Sequence, residues 1–335
     1  MTAGGDCPGL NAAIRGVGKT LIMRYGATVY GFSSGFLGLI ENEYRILTES
    51  DLSNILTLGG TILGTSREKP FKKTDQYLKE IDKPAIIKEN YEKLGLDCLV
   101  CIGGNGTQKT AYKLQQQGLN VIGLPKTIDN DVWGTDISFG FDSAVSIATE
   151  AIDRLHTTAN AHRRIMVIEL MGHHTGWLAL YAGVAGGGDV ILIPELPFDL
   201  DAIADYLKER LRKNKRSSII VVAEGVINKE NKSAARYLSK KIGEKIDQEV
   251  RETILGYIQR GGSPSPYDRI LATRYGGFAA ELIAEKKYGH MVAIRNDKLI
   301  ALPLGEVAGT LKKVPADHPL IAQAAHIGTS FGMPM

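Results

Sequence analysis

Residues 123–131, Gly-Leu-Pro-Lys-Thr-Ile-Asp-Asn-Asp, put Lys126, Thr127 and the two carboxylates Asp129 and Asp131 on one short loop. The apolar run before it, residues 119–124, reads as a buried strand that Pro125 stops. In extended or turning backbone, carboxylates two residues apart need not face the same way. One could take a proton from a substrate hydroxyl while the other faces a metal ion or a second substrate. Taken alone, an Asp-Asn-Asp triplet also reads as a solvated Asx turn, so the neighbouring loops have to decide.

Three glycine-rich stretches carry phosphate chemistry. In residues 1–11 (MTAGGDCPGLN), Gly4, Gly5 and Gly9 let the backbone approach an anion, and the helix expected over 12–25 adds the positive end of its dipole. Such a loop normally follows a strand, yet only three residues precede it. The sequence therefore carries the expectation of a strand upstream of Met1, with translation starting earlier or the chain truncated. Residues 59–67 (GGTILGTSR) end on Arg67, and Lys69, Lys72 and Lys73 follow. Small residues, hydroxyls and clustered cations suit a polyphosphate, although a polar surface loop has the same composition. Residues 103–107 (GGNGT: Gly103, Gly104, Asn105, Gly106, Thr107) close a strand and open a helix over 108–117. That is a second cradle of backbone N–H groups.

The elements that must position these loops alternate. Strands are expected at 27–32, 96–102 and 119–124, with helices at 85–94 and 108–117 between them. The pattern is that of an α/β protein with mainly parallel sheets and ligand loops at the carboxyl ends of strands. The second half continues it. A helix over 143–158 has Ile147, Ala151 and Leu155 on one face. Arg163 and Arg164 precede a strand at 165–170, which ends in Met171-Gly172-His173-His174-Thr175-Gly176. Adjacent histidines rarely reach one ion, so hydrogen bonding to a substrate or packing is expected of them. Further buried strands fall at 189–193 and 218–223, the latter running into Glu224. Arg251, Tyr257 and Arg260 follow at helix-like or loop spacing, where arginine suits a bidentate phosphate contact. Residues 291–304 read as a hairpin around Asn296 and Asp297.

Composition excludes several classes. The chain has 335 residues, 44% hydrophobic and 23% charged, which suits a folded protein of two domains. No run of about eighteen apolar residues suggests a membrane span. A net charge of +3 is too small to argue for nucleic acid, and the basic run 208–216 (KERLRKNKR) reads as a solvated helix end. Three cysteines make no disulfide framework, and no signal peptide is visible, so a cytoplasmic protein is expected. Cys98 and Cys101 form a CxxC inside an apolar run, where core packing is favoured over a redox or zinc pair.

These glycine-rich loops, an Asp pair and isolated arginines point to a site for two phosphorylated ligands, and phosphoryl transfer is the reaction such equipment suits. Along its whole length the sequence resembles the phosphofructokinase family, through GGDCPGLNAAIRG, GGTILGTSR, GGNGT, PKTIDND, FGFDSA, MGHHTGW, AEG and LGYIQRGGSPSPYDR. The PKTIDND and GTSR forms resemble the branch that mixes ATP-using and pyrophosphate-using members. The resemblance implies two Rossmann-like domains. Residues 1–140 with about 260–309 would bind the phosphoryl donor, and residues 141–259 with about 310–335 the sugar phosphate.

It implies roles as well. Asp129 would take the proton from the 1-hydroxyl of fructose 6-phosphate, flanked by Thr127 and by Asp131, which would help to hold Mg²⁺. Lys126 and Gly5 would complete the catalytic set, Gly5 through its N–H to the transferring group. Lys72 would bridge the donor phosphates of ATP, with Arg67, Gly104, Asn105, Gly106 and Thr107 around them. Met171, Gly172, His173 and Glu224 would line the sugar pocket, and Arg164, Arg251, Tyr257 and Arg260 would hold the 6-phosphate. Some of these cations come from a neighbouring subunit in the family, which implies a dimer or tetramer with shared sites.

The sequence departs from the pattern at Asn105, where an acidic metal ligand is usual; an amide can bind Mg²⁺ but brings no charge. His173 and Tyr257 replace Arg and His of many relatives. Gly106 leaves room for a nucleotide, whereas Lys126 is typical of pyrophosphate users. An ATP-dependent enzyme is expected; a pyrophosphate-dependent one, or a weak regulatory paralogue, is the alternative.

Overall fold

The computed structural model describes residues 1–72, 82–227, 230 and 233–333; Lys73 lies outside them. In chain order the elements are α1 (Leu10–Tyr25), β1 (Val29–Phe32), α2 (Phe36–Glu41), β2 (Tyr44–Leu47), α3 (Lys83–Lys93), β3 (Leu99–Gly103), α4 (Asn105–Gln116), β4 (Val121–Pro125) and α5 (Phe141–His162). There follow β5 (Ile165–Leu170), α6 (Trp177–Ala185), β6 (Val190–Leu192), α7 (Leu200–Arg212), β7 (Ser218–Ala223), α8 (Ala234–Gly243) and β8 (Val250–Ile254). After a 3-10 helix (Gly256–Arg260) come α9 (Pro266–Ala284), β9 (His290–Arg295), β10 (Lys298–Pro303), α10 (Leu304–Val307) and α11 (Pro319–His326). The chain divides into two compact units. The first holds residues 1–127, 131–142 and 260–311; the second holds 128–130, 143–259 and 312–335.

In the first unit a sheet runs β10-β9-β4-β3, with β3, β4 and β9 parallel and β10 antiparallel. All five residues of β4 are buried, as a strand covered on both faces must be. The short segment before the first glycine loop pairs with the outer edge of β3: Ala3 N–H donates to the Ile102 carbonyl and Ile102 N–H to the Met1 carbonyl, both at 3.0 Å. Beside it a cavity of about 390 Å³ is lined by Met1, Tyr30, Gly31, Leu99 and Val100 among others. The expected hairpin forms from β9 and β10. Its turn residues Asn296 and Asp297 take φ of 48° and 60°, the left-handed pair that a two-residue hairpin turn demands.

The strand expected at 27–32 does not join the parallel sheet. β1 pairs antiparallel with β2 in a sheet of its own, because residues 33–43 reverse the chain rather than carry it across a sheet face. Helix α1 lies against α9 at glycine positions: a Cβ on Gly276 would come within 2.6 Å of the Val17 nitrogen, and one on Gly16 within 3.0 Å of the Thr273 carbonyl. That close approach seats the helix whose start carries the first glycine loop.

The second unit is built on the parallel sheet β6-β7-β5-β8. β5 and β7 are buried at every residue, as their apolar runs require. β8 was not expected as a strand, since its Val-Arg-Glu-Thr-Ile alternates only weakly and is largely solvent-facing. The basic run 208–216 contains the end of α7, where Arg212 and Lys213 pair with Glu209 at 3.3 and 3.4 Å. Burial pushes the Cys101 thiol up to about 12 and the Cys98 thiol up as well, so both stay protonated as core side chains. Among the described residues no helix is long and apolar enough to cross a membrane.

Candidate active site

In the first unit the glycine loops interlock. Gly4 and Gly9 have φ of 85° and 100°, which glycine alone adopts freely. Gly4 N–H donates to the Ser66 carbonyl at 2.9 Å, and Thr65 Oγ1 donates to the Gly4 carbonyl at 2.7 Å, so the 59–67 loop is strapped to the 1–11 loop. Arg67 follows directly and is exposed, as is Lys72 further along. Gly5 is enclosed by cations. Lys126 Nζ donates to its carbonyl, Arg260 Nη1 donates to the Asp6 carbonyl at 3.0 Å, and a Cβ on Gly5 would fall 2.1 Å from Arg260 Nη1. The Arg260 Nε is buried without a protein partner, a donor available to an anion. Arg260 thus belongs to the Gly5 loop of the first unit.

The GGNGT turn closes β3 and starts α4. Gly104 is the helix N-cap, with no side chain capping the first N–H groups. A Cβ on Gly103 would collide with Thr107 at 2.2 Å, whereas one on Gly106 meets nothing within 4 Å. Asn105 Nδ2 donates to the Asp131 carbonyl at 3.1 Å, and Asn105 Oδ1 is buried without a partner. Beyond β4, the carbonyl of buried Thr127 accepts from Ser138 Oγ at 3.1 Å.

In the second unit, Asn130 has φ of 50° and is 4% exposed. The hydroxyl of fully buried Thr175 shares its one proton between the Gly172 carbonyl at 3.2 Å and the Asp129 carbonyl at 3.3 Å. Glu224 Oε1 accepts the N–H groups of Gly172 and His173 at 3.3 and 2.8 Å, joining the loops after β5 and β7. Gly225 permits this: a Cβ there would lie 2.3 Å from the His173 carbonyl. The His173 and His174 rings lie against each other, centroids 3.7 Å apart. Among the described residues no three His, Cys, Asp or Glu side chains cluster as a metal site. Met171 is half-buried at the end of β5, and Tyr257 is exposed beyond the end of β8.

Arg164 and Arg251 are not brought to these residues. Arg164 precedes β5 and Arg251 pairs in register with Met166, so both stand at the amino end of the sheet. The six-residue β5 separates Arg164 from Met171 by about 20 Å. Glu249, which the motifs did not mark, binds both guanidinium groups. The hydrogen bond from Arg164, more than that from Arg251, holds its carboxyl below the usual range. The sequence did not single out Thr175, Asn130 or Glu249 for these contacts. Thr175 lay in a quoted motif, but nothing in the sequence said that it reaches Asp129.

The Phosphofructokinase family profile matches residues 1–283. The chain is 58% identical to ATP-dependent 6-phosphofructokinase 3 of Bacteroides thetaiotaomicron, over 99% of this chain and 98% of that protein. It is 59% identical to ATP-dependent 6-phosphofructokinase of Spirochaeta thermophila, over 99% and 96%. Among solved structures, Pichia pastoris phosphofructokinase in the T-state matches 98% of this chain and 36% of its own, with a TM-score of 0.82 and 32% identity. A pyrophosphate-dependent phosphofructokinase from Marinobacter aquaeolei, with a TM-score of 0.84 over 100% of this chain and 93% of its own but 23% identity, shares the fold. Matched by the family profile over most of its length and by close relatives over nearly all of it, the chain belongs to the phosphofructokinase family.

Proposed function

We infer that this protein is a 6-phosphofructokinase that transfers the terminal phosphoryl group of ATP to the 1-hydroxyl of fructose 6-phosphate, giving fructose 1,6-bisphosphate and ADP. The observation that carries the reading is the 126–131 stretch. Its two aspartates are anchored through their carbonyls, Asp129 by Thr175 and Asp131 by Asn105. Anchored backbone on both sides of Asn130 is what a positioned base needs.

In this reading Asp129 accepts the hydroxyl proton, the freed oxygen attacks the terminal phosphorus, and the bond to the ADP oxygen breaks. Gly5 N–H and the Arg260 guanidinium receive the charge on the transferring group. Lys126 and Thr127 hold the loop beside it. Gly104, Gly106 and Thr107 offer uncapped helix N–H groups to the donor phosphates, with Arg67 and Lys72 as further cations. Met171, Gly172, His173 and Glu224 line the sugar pocket.

The residues present fit Mg²⁺. Asn105 Oδ1 is buried without a partner, and the Asn105 amide nitrogen donates to the Asp131 carbonyl, so the Asn105 amide oxygen and the Asp131 carboxylate are the hard oxygens that would hold a magnesium ion. When bound, the ion neutralises charge on the donor phosphates. The set contains one carboxylate and one amide, so a raised magnesium requirement goes with it.

Gly106 supports ATP over pyrophosphate, since the open space at its Cβ position leaves room for a nucleotide. The position of Arg164 and Arg251 at the far end of the sheet supports a homo-oligomer, in which these two arginines serve the 6-phosphate in a neighbour's pocket while Tyr257 stays near its own. A cytoplasmic location goes with the reading.

The test is a coupled assay with both donors across a magnesium titration. Turnover with ATP and fructose 6-phosphate is expected, with pyrophosphate poor. A pyrophosphate kcat/KM ten times that of ATP, about 1.4 kcal/mol, would overturn the donor assignment.

A further inference from the structure

The second unit contains a contact for which no motif accounts. Asn130, between the two aspartates, is buried and held at φ 50°, a conformation that asparagine tolerates better than most residues but that still needs support. Its Oδ1 accepts a hydrogen bond from Lys312 Nζ at 2.9 Å. Lys312 opens the C-terminal stretch 312–335, far from Asn130 in sequence.

Lys312 is itself held on several sides. Its ammonium lies 5.3 Å from the centroid of the Trp177 ring, and its carbonyl accepts the Trp177 indole N–H at 2.8 Å. Two residues on, Val314 N–H donates to Glu195 Oε1 at 3.0 Å, and the same oxygen accepts Gly176 N–H at 3.1 Å. The turn so gripped, residues 175–177, includes Thr175, whose hydroxyl bonds the Asp129 carbonyl. The Asp129–Asn130 backbone is therefore reached from two directions, by Thr175 at the carbonyl and by Lys312 at the next side chain.

We propose that Lys312 is a positioning residue for Asp129, acting through Asn130: its charge-assisted hydrogen bond holds the left-handed turn that aims the base. The proposal rests on Asp129 being the base. An ammonium suits the task better than a neutral donor, because a hydrogen bond to a charged group is roughly twice as strong, and the Trp177 ring keeps the lysine stem from wandering.

The test uses the full chain with Lys312→Met, Lys312→Arg, Asn130→Gly, the Lys312→Met/Asn130→Gly double variant and Asp129→Ser. Methionine keeps the apolar stem and loses the donor; glycine adopts φ 50° without a side-chain partner. Lys312→Met is expected to lower kcat about tenfold to thirtyfold, with KM for both substrates and Tm nearly unchanged. Lys312→Arg should recover kcat to within about threefold, and Lys312→Met should cost less than about threefold in the Asn130→Gly background. Undiminished kcat in Lys312→Met, with Asp129→Ser inactive, would overturn the proposal and leave the base assignment standing. A full, additive loss in the double variant would overturn the route through Asn130. A kcat loss accompanied by a large fall in Tm would assign Lys312 a purely structural role. Near-normal turnover in Asp129→Ser would instead remove the base assignment on which the proposal rests.

Discussion

The two units treat their cations differently. In the first, Lys126 and Arg260 both close on Gly5, within one cluster of loops beyond the ends of strands. In the second, the residues divide between the two ends of one sheet: Glu224 and the 171–173 loop at the carboxyl end, Arg164 and Arg251 with Glu249 at the amino end. A guanidinium cannot cross about 20 Å of buried strand to join a loop at the other end. The first unit gathers its cations around one loop, whereas the second holds two arginines at the end of its sheet opposite the 171–173 loop.

The largest effect is expected for the residue at the centre of the reading. Asp129→Ser should lower turnover by about two to four orders of magnitude with fructose 6-phosphate binding kept, measured by kinetics and by calorimetry. Turnover near the parent value would break the assignment. Arg251→Ala sharpens the comparison directly. Losing a charged hydrogen bond to phosphate should raise KM for fructose 6-phosphate about tenfold to a hundredfold and leave KM for ATP alone. If the arginine serves a neighbour, mixing inactive Asp129→Ser with Arg251→Ala subunits should restore part of the activity. No recovery on mixing, after subunit exchange is verified, would confine each site to one chain.

On the donor side the effects should be smaller. Gly106→Asp puts a carboxylate into open space and should lower kcat/KM for ATP about tenfold relative to pyrophosphate. An unchanged ratio would remove Gly106 from donor choice. Asn105→Asp should lower the magnesium concentration for half-maximal rate by about threefold to tenfold, because a carboxylate replaces the amide. Magnesium binding followed by calorimetry in the presence of a nonhydrolysable ATP analogue gives the same comparison without turnover.

Much of this was legible from residue order. Predominantly apolar runs became β5 and β7, and Asn296 with Asp297 turned the β9–β10 hairpin, because burial and turn chemistry act locally. The motif residues of the loops follow from the same local logic, since a glycine-rich turn before a helix exposes N–H groups wherever it lies. The membership of β1 in a separate antiparallel pair and the existence of β8 were not legible: pairing partners are chosen across the fold, and neither run carried a decisive alternation.

The sequence by itself determined which groups could do chemistry, and even that Arg164 stands before its strand and Met171 after it. Only the tertiary structure decided that Arg164, Glu249 and Arg251 meet at one sheet end, because register between β5 and β8 sets who stands opposite whom. It alone brought Lys312 to Asn130 across the length of a domain. A single polar contact of that separation leaves no periodic trace in the sequence, since its partners are matched by packing geometry rather than by spacing.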